Sequence, residues 1–215
     1  MRQRLKHPDQ LMEPDPRNTR SGQSLDGWPR PLSVQLLHGA ISQLELSPDV
    51  PEDICGRFET VRNLFLYAWY VYDFTMPAIL YGQTIVESAI REKCKRENIK
   101  ISDRIGLSGL LKIAIHHGWL KNSTFSRTQE MFVPSLDLER GMTYTPKYKP
   151  EDQDYCEVIA ETIPSNRNHL AHGHTALESP GMAFGTLELC AEIINALFSW
   201  RAQRPEEIGN GVATA

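Results

Sequence analysis

Apolar residues recur at helical spacing through most of the chain, and prolines, glycines and acidic residues divide one stretch from the next. From Pro51, the positions Ile54, Phe58, Val61, Phe65, Ala68, Trp69 and Tyr72 fall on one broad face, which predicts a helix running to about Thr75. Pro51 followed by Glu52 and Asp53 suits its start, with proline in the first turn and carboxylates at the positive pole of the dipole. Pro77 stops or kinks this helix, and a second long one carries Ile79, Val86, Ala89 and Ile90 to about Asn98. A shorter helix is predicted from Leu107 to His117, with Leu110, Leu111, Ala114 and Ile115 buried and Gly118 as its C-terminal cap.

The remaining pattern is weaker. Pro31 to Leu46 reads as a short helix through Val34, Leu36, Leu37, Ile41 and Leu44, while residues 1–30, rich in proline and polar side chains, read as an extended or disordered arm. Between Lys121 and Pro150 the composition is loop-like. Thirty residues without regular structure are unusual in a compact domain, so short helices are expected near Ser126 to Phe132 and Leu136 to Arg140. A helix from Glu151 to Ile163, with Tyr155, Val158, Ile159 and Thr162 inward, should break at Pro164-Ser165-Asn166, and a last helix should span about Phe184 to Gln203. The sum is an all-α chain: an N-terminal arm over 1–50 with a possible short helix, one helical domain over 51–204, and a disordered tail over 205–215.

Composition narrows the class. A chain of 215 residues with 40% apolar and 23% charged positions suits one buried core. Apolar runs such as Val158 to Ala160 and Ile193 to Ile194 are far shorter than the roughly 18 residues that span a bilayer, and the N-terminus shows no signal-peptide pattern. Cys55, Cys94, Cys156 and Cys190 stand singly, which indicates neither a zinc ribbon nor a disulfide framework and agrees with a cytoplasmic protein away from membranes. A net charge of −4 argues against nonspecific coating of nucleic acid but leaves room for a local basic cleft. Arg91, Lys93, Lys95, Arg96 and Lys100 form the densest basic cluster, and Lys147 and Lys149 a smaller one. Either is ordinarily a solvated helix end, and becomes an RNA contact only if it lies beside the functional site.

Chemistry concentrates in Arg167-Asn168-His169-Leu170-Ala171-His172-Gly173-His174. Arginine is always charged and histidine titrates near neutrality, so the pair suits reaction at a phosphate. On a straight helix, however, residues five apart diverge by roughly 140°. Arg167 and His172 therefore converge on one substrate atom only if the backbone leaves helical geometry within the motif, or if two copies of the chain pool their side chains across a two-fold axis. In the first case Ser165 or Asn166 would cap a new helix whose first-turn N–H groups favour phosphate.

The run Arg167, Asn168, three residues, His172, Gly173 resembles the R-(polar)-x-x-x-H signature of HEPN domains, helical bundles found in toxin–antitoxin, abortive-infection and CRISPR-associated proteins and in RNA processing. Tyr67 to Phe74 and the helix containing Glu87 look like the aromatic and acidic helices that precede this signature, and Phe184 to Trp200 like the closing helix, so the resemblance covers roughly residues 52–203. It implies a bundle of long antiparallel helices, a homodimer, and metal-independent endoribonuclease activity that leaves 2′,3′-cyclic phosphate and 5′-hydroxyl ends. No cofactor and no metal is called for. Arg167 and His172 would be catalytic, with Asn168, His169, His174 and Glu87 supporting. Glu87 either forms an exposed ion pair with Arg91 or turns inward to hold Arg167. A toxin or phage-defence role, with RNA as substrate and an antitoxin or regulatory protein as partner, is what the resemblance most often implies.

Three other readings stay open on the residues alone: a binding or regulatory subunit without nuclease activity, a metal site from His169, His172 and His174, and a motif that merely caps helices and satisfies buried carbonyls.

Overall fold

The structure, a computed structural model, describes residues 5–19, 32–126, 132–137, 141–146, 154–172 and 178–199, with 132–137 and 141–146 described in backbone alone. Among these, six α-helices build an all-α fold: α1 (Val34–Ile41), α2 (Glu52–Tyr67), α3 (Thr75–Arg96), α4 (Leu107–His116), α5 (Tyr155–Ala171) and α6 (Pro180–Phe198). The 22-residue α3 is the central element and packs against α2, α4, α5 and α6. Its buried side chains Ile79, Ile85, Val86, Ala89 and Ile90 are wholly covered, and Phe58, Phe65, Leu110, Leu111, Ile159 and Leu187 close the core around them.

Named contacts fix the directions. Arg57 Nη1 on α2 donates to Ser88 Oγ on α3 at 3.2 Å, and Val61 lies opposite Gly82, so α2 and α3 run antiparallel. Gly82 also faces Leu187 and Cys190 on α6, where an added Cβ would stand 3.1 Å from Leu187 Cδ2; its missing side chain lets the two helices approach. Farther along, the Arg96 guanidinium lies over the Phe198 ring at 5.3 Å, so α3 and α6 run parallel. By length and composition α6 could cross a bilayer, but half of that window is buried inside the bundle.

Several expected boundaries move. Helix α2 ends at Tyr67 rather than near Thr75, and α3 begins at Thr75 with Pro77 inside its first turn, where a missing N–H costs nothing. Likewise α6, expected from about Phe184, opens at Pro180 with Ser179 capping the Met182 N–H, and ends at Phe198. Of the helices expected near 126–132 and 136–140, residues 127–131 and 138–140 lie outside the described residues, while Phe132, Leu136 and Asp137 belong to an antiparallel pair of strands, β1 (Phe132–Asp137) and β2 (Gly141–Pro146). Phe132, Val133, Thr143, Tyr144 and Thr145 favour extended backbone. Pro134, opposite Tyr144, is tolerated because both strands of a two-stranded ribbon are edges.

The N-terminal segment is not a free arm over 5–19. Asn18, fully buried, donates from Nδ2 to the carbonyls of Ala68 at 2.8 Å and Trp69 at 3.0 Å, the orphan acceptors at the C-terminus of α2. Asp15 accepts the Tyr72 N–H at 3.2 Å and donates its own N–H to Trp69 O at 2.9 Å. Arg17 pairs with both Asp15 and Asp73 at 2.8 Å and lies over the Tyr72 ring. The segment thus caps the corner between α2 and α3 from outside, an arrangement that its proline-rich composition does not announce.

Candidate functional site

Helix α5 runs unbroken through Pro164 to Ala171, contrary to the expected break at Pro164-Ser165-Asn166. Proline removes the N–H that would have bonded the Ala160 carbonyl, and Ser108 Oγ from α4 takes that place at 3.2 Å. The same bond sets α4 and α5 antiparallel, since the chain after α4 meets the start of α5 where Asn122 Oδ1 accepts the Cys156 N–H at 3.0 Å.

A continuous α5 places the motif at the helix C-terminus. Neither Ser165 nor Asn166 caps a new helix, and no first-turn N–H groups are on offer to a phosphate there. His172 is the C-cap residue, with φ −87° and ψ 8°, and its N–H bonds Asn168 O at 3.0 Å. Asn168, His169 and His172 are exposed, whereas Arg167 is half-buried on the side facing α3. With helical backbone up to Ala171, Arg167 and His172 diverge by roughly 140°, and the first of the two ways to bring them together within one chain is gone.

On α3, Glu87 meets both of its expected partners. Its Oε1 accepts from Arg91 Nη2 at 3.0 Å, and its Oε2 lies 3.0 Å from Arg167 Nη2. Glu87 is 17% exposed and each arginine 30%, so this bridge is partly shielded from water and worth more than a surface pair. Arg91 also donates to the Ile105 carbonyl just before α4, which ties three elements to one carboxylate. Because Arg91 reaches residue 105, Ser108 reaches Ala160, and Glu87, one turn earlier on α3, reaches Arg167, α5 runs antiparallel to α3. Nothing in the sequence pointed to the Ile105 carbonyl or to Ser108, since neither role has a residue signature.

Two guanidiniums share one carboxylate, which leaves a single positive charge in excess at the foot of the motif. Asn166 Nδ2 donates to Glu178 Oε1 at 3.3 Å, joining α5 to the start of α6. Within the basic cluster Lys93 is buried with Nζ 2.9 Å from Glu97, Arg96 binds Glu92 at 2.9 Å, and Arg91 joins Arg167 at Glu87. Lys147, Lys149 and His174 lie outside the described residues. Among the described residues no three metal-ligating side chains cluster. Burial pushes the Cys190 thiol up to about 12 and, with Asp154 adding, Cys156 up to about 11, so neither offers a thiolate nucleophile at neutral pH.

Compared with protein-family models, curated proteins and solved structures, the chain matches none.

Proposed function

We propose that the protein is a metal-independent endoribonuclease whose composite site forms when two copies of the chain bring Arg167 of one beside His172 of the other. The observation that carries this reading is the Arg167–Glu87 pair between α5 and α3: a guanidinium held by a half-buried carboxylate, with exposed Asn168 beside it and exposed His172 at the helix end. Oriented arginine and surface histidine are the groups that phosphodiester transesterification needs. His172 takes the 2′-hydroxyl proton or protonates the leaving 5′-oxygen, Arg167 stabilises the phosphorane, and the products are a 2′,3′-cyclic phosphate and a 5′-hydroxyl. Resemblance of the motif to the HEPN signature supports the same chemistry and, at the level of biology, a toxin or phage-defence effector restrained by an antitoxin or regulatory protein.

The exposed apolar side chains support pairing at this end of the bundle. Tyr67 closes α2, Phe74 precedes α3 and Met182 opens α6, and the Phe65–Phe184 contact at 6.0 Å brings the α2 and α6 termini together. Leu11 and Met12 lie on the docked N-terminal segment that caps the same corner.

Incubation of mixed-sequence RNA and total tRNA with the wild type in EDTA should give cyclic-phosphate ends, and Arg167→Ala and His172→Ala should each lower the rate at least a hundredfold. Intact RNA after incubation with folded wild-type dimer would move the protein to a binding or regulatory role.

A further inference from the structure

Gln83 lies on α3 one turn before Glu87 and two before Arg91, so the three form a gently drifting stripe along one side of the helix. Only 1% of Gln83 is exposed, and its amide oxygen is buried without a hydrogen-bond partner among the described residues. The other buried polar residues of α3 are satisfied: Thr75 donates to the Tyr72 carbonyl at 3.1 Å and Lys93 binds Glu97. Glu87 Oε2 shares the condition of Gln83, because Arg167 Nη2 approaches within 3.0 Å but not along a hydrogen-bonding direction. An orphan acceptor in a core is a standing cost that methionine or leucine of similar size would not carry. Its presence beside a second orphan acceptor calls for a donor able to serve both.

A guanidinium is such a donor, with five N–H groups in a rigid fork. We propose that Gln83 is a positioning residue for Arg167: once the guanidinium turns from its place at Glu87 Oε2, the amide carbonyl of Gln83 and the carboxylate of Glu87 together take it and fix its plane. Since α5 runs antiparallel to α3, Gln83 lies one turn nearer than Glu87 to the His172 end of α5. The shared grip draws Arg167 toward that end, with its remaining edge turned to an RNA phosphate. The phosphate part rests on the ribonuclease reading; the contact between Gln83 and Arg167 does not.

The test follows the Arg167 side-chain ¹⁵N–¹H resonances in the full-length protein, identified by their loss in Arg167→Lys. Gln83→Met should shift them and speed their exchange with water, Gln83→Glu, which keeps an acceptor, should leave that exchange slow, and Gln83→Leu stands in if the methionine variant does not fold. In parallel, binding of a mixed-sequence 2′-O-methyl RNA should weaken about tenfold in Gln83→Met at an equal or higher melting temperature, with no further loss when Arg167 is already alanine. Unchanged Arg167 resonances in folded Gln83→Met or Gln83→Leu overturn the inference, as does an equal loss of binding in the Arg167→Ala background. RNA binding indifferent to Arg167 counts against the ribonuclease reading instead, and leaves the resonances to decide the contact.

Discussion

Asp15 and Glu87 are both carboxylates that serve arginines, yet they do different work. Glu87 is shared between Arg91 and Arg167 and leaves one positive charge in excess, whereas Asp15 is only 3% exposed and its oxygens are taken up within the fold. Burial alone would raise the Asp15 pKa, but the side-chain and backbone hydrogen bonds from Arg17 and the Tyr72 N–H outweigh it and hold the carboxyl below its ordinary value. The other charge in this cluster, Asp73, binds the far side of the same guanidinium. A carboxyl whose pKa is lowered by folding contributes stability that is complete above its unfolded pKa of about 3.9 and disappears as pH falls through the folded value. Melting temperatures measured from pH 7 to pH 2.5 should therefore fall more steeply for the wild type than for Asp15→Asn below about pH 4, while at pH 7 the variant should be less stable by about 1–2 kcal/mol. Parallel curves for the two proteins would show that the N-terminal segment does not depend on this charge.

At the scale of elements, the instructive case is α5, where a proline sits mid-helix without a break. The Ser108 hydroxyl makes that possible by donating to the carbonyl that Pro164 leaves bare, so Ser108→Ala should destabilise the protein by about 1 kcal/mol. The same substitution in a Pro164→Ala background, where the backbone restores the N–H, should cost less; urea unfolding of the four proteins measures the difference. Helices α2, α3, α4 and α6 were legible in the sequence because their apolar positions repeat at helical spacing and their ends carry proline, acidic or glycine signals; Gly118, with φ 68°, does end α4 as its position suggested. Pro164 misled because local sequence cannot reveal a hydroxyl supplied from residue 108. The strands at 132–137 and 141–146 were missed because a two-stranded ribbon shows little alternation, and the docking of Asp15 and Asn18 because the Asn18 amide satisfies a carbonyl 50 residues away and the Asp15 carboxylate an N–H 57 residues away. At the site, the identity of Arg167, Asn168 and His172 could be read directly, and Glu87 could be named with both of its partners. The straightness of α5 beneath them could not.

That straightness sets the requirement on the whole molecule. With Arg167 held against Glu87 and His172 exposed at the helix end, a single chain presents the two groups in directions roughly 140° apart, so the proposed chemistry needs a partner chain rather than a rearranged motif. An active site shared in this way has a signature that no single substitution reveals. Arg167→Ala and His172→Ala homodimers should each be inactive, but when the two are mixed and allowed to exchange subunits, the mixed dimers regain one intact pair, Arg167 from one chain and His172 from the other. Random exchange at equal concentrations makes about half of the dimers mixed, with one of two pairs restored in each, so cleavage should recover to roughly a quarter of the wild-type rate. A site built within each chain predicts no recovery at all, because every chain in the mixture then lacks one of its two groups. Substituting Tyr67 or Met182 with glutamate offers the converse: if the apolar end of the bundle is the pairing surface, a buried charge there should lower the sedimentation coefficient to that of a monomer and abolish cleavage while leaving the helical circular dichroism unchanged.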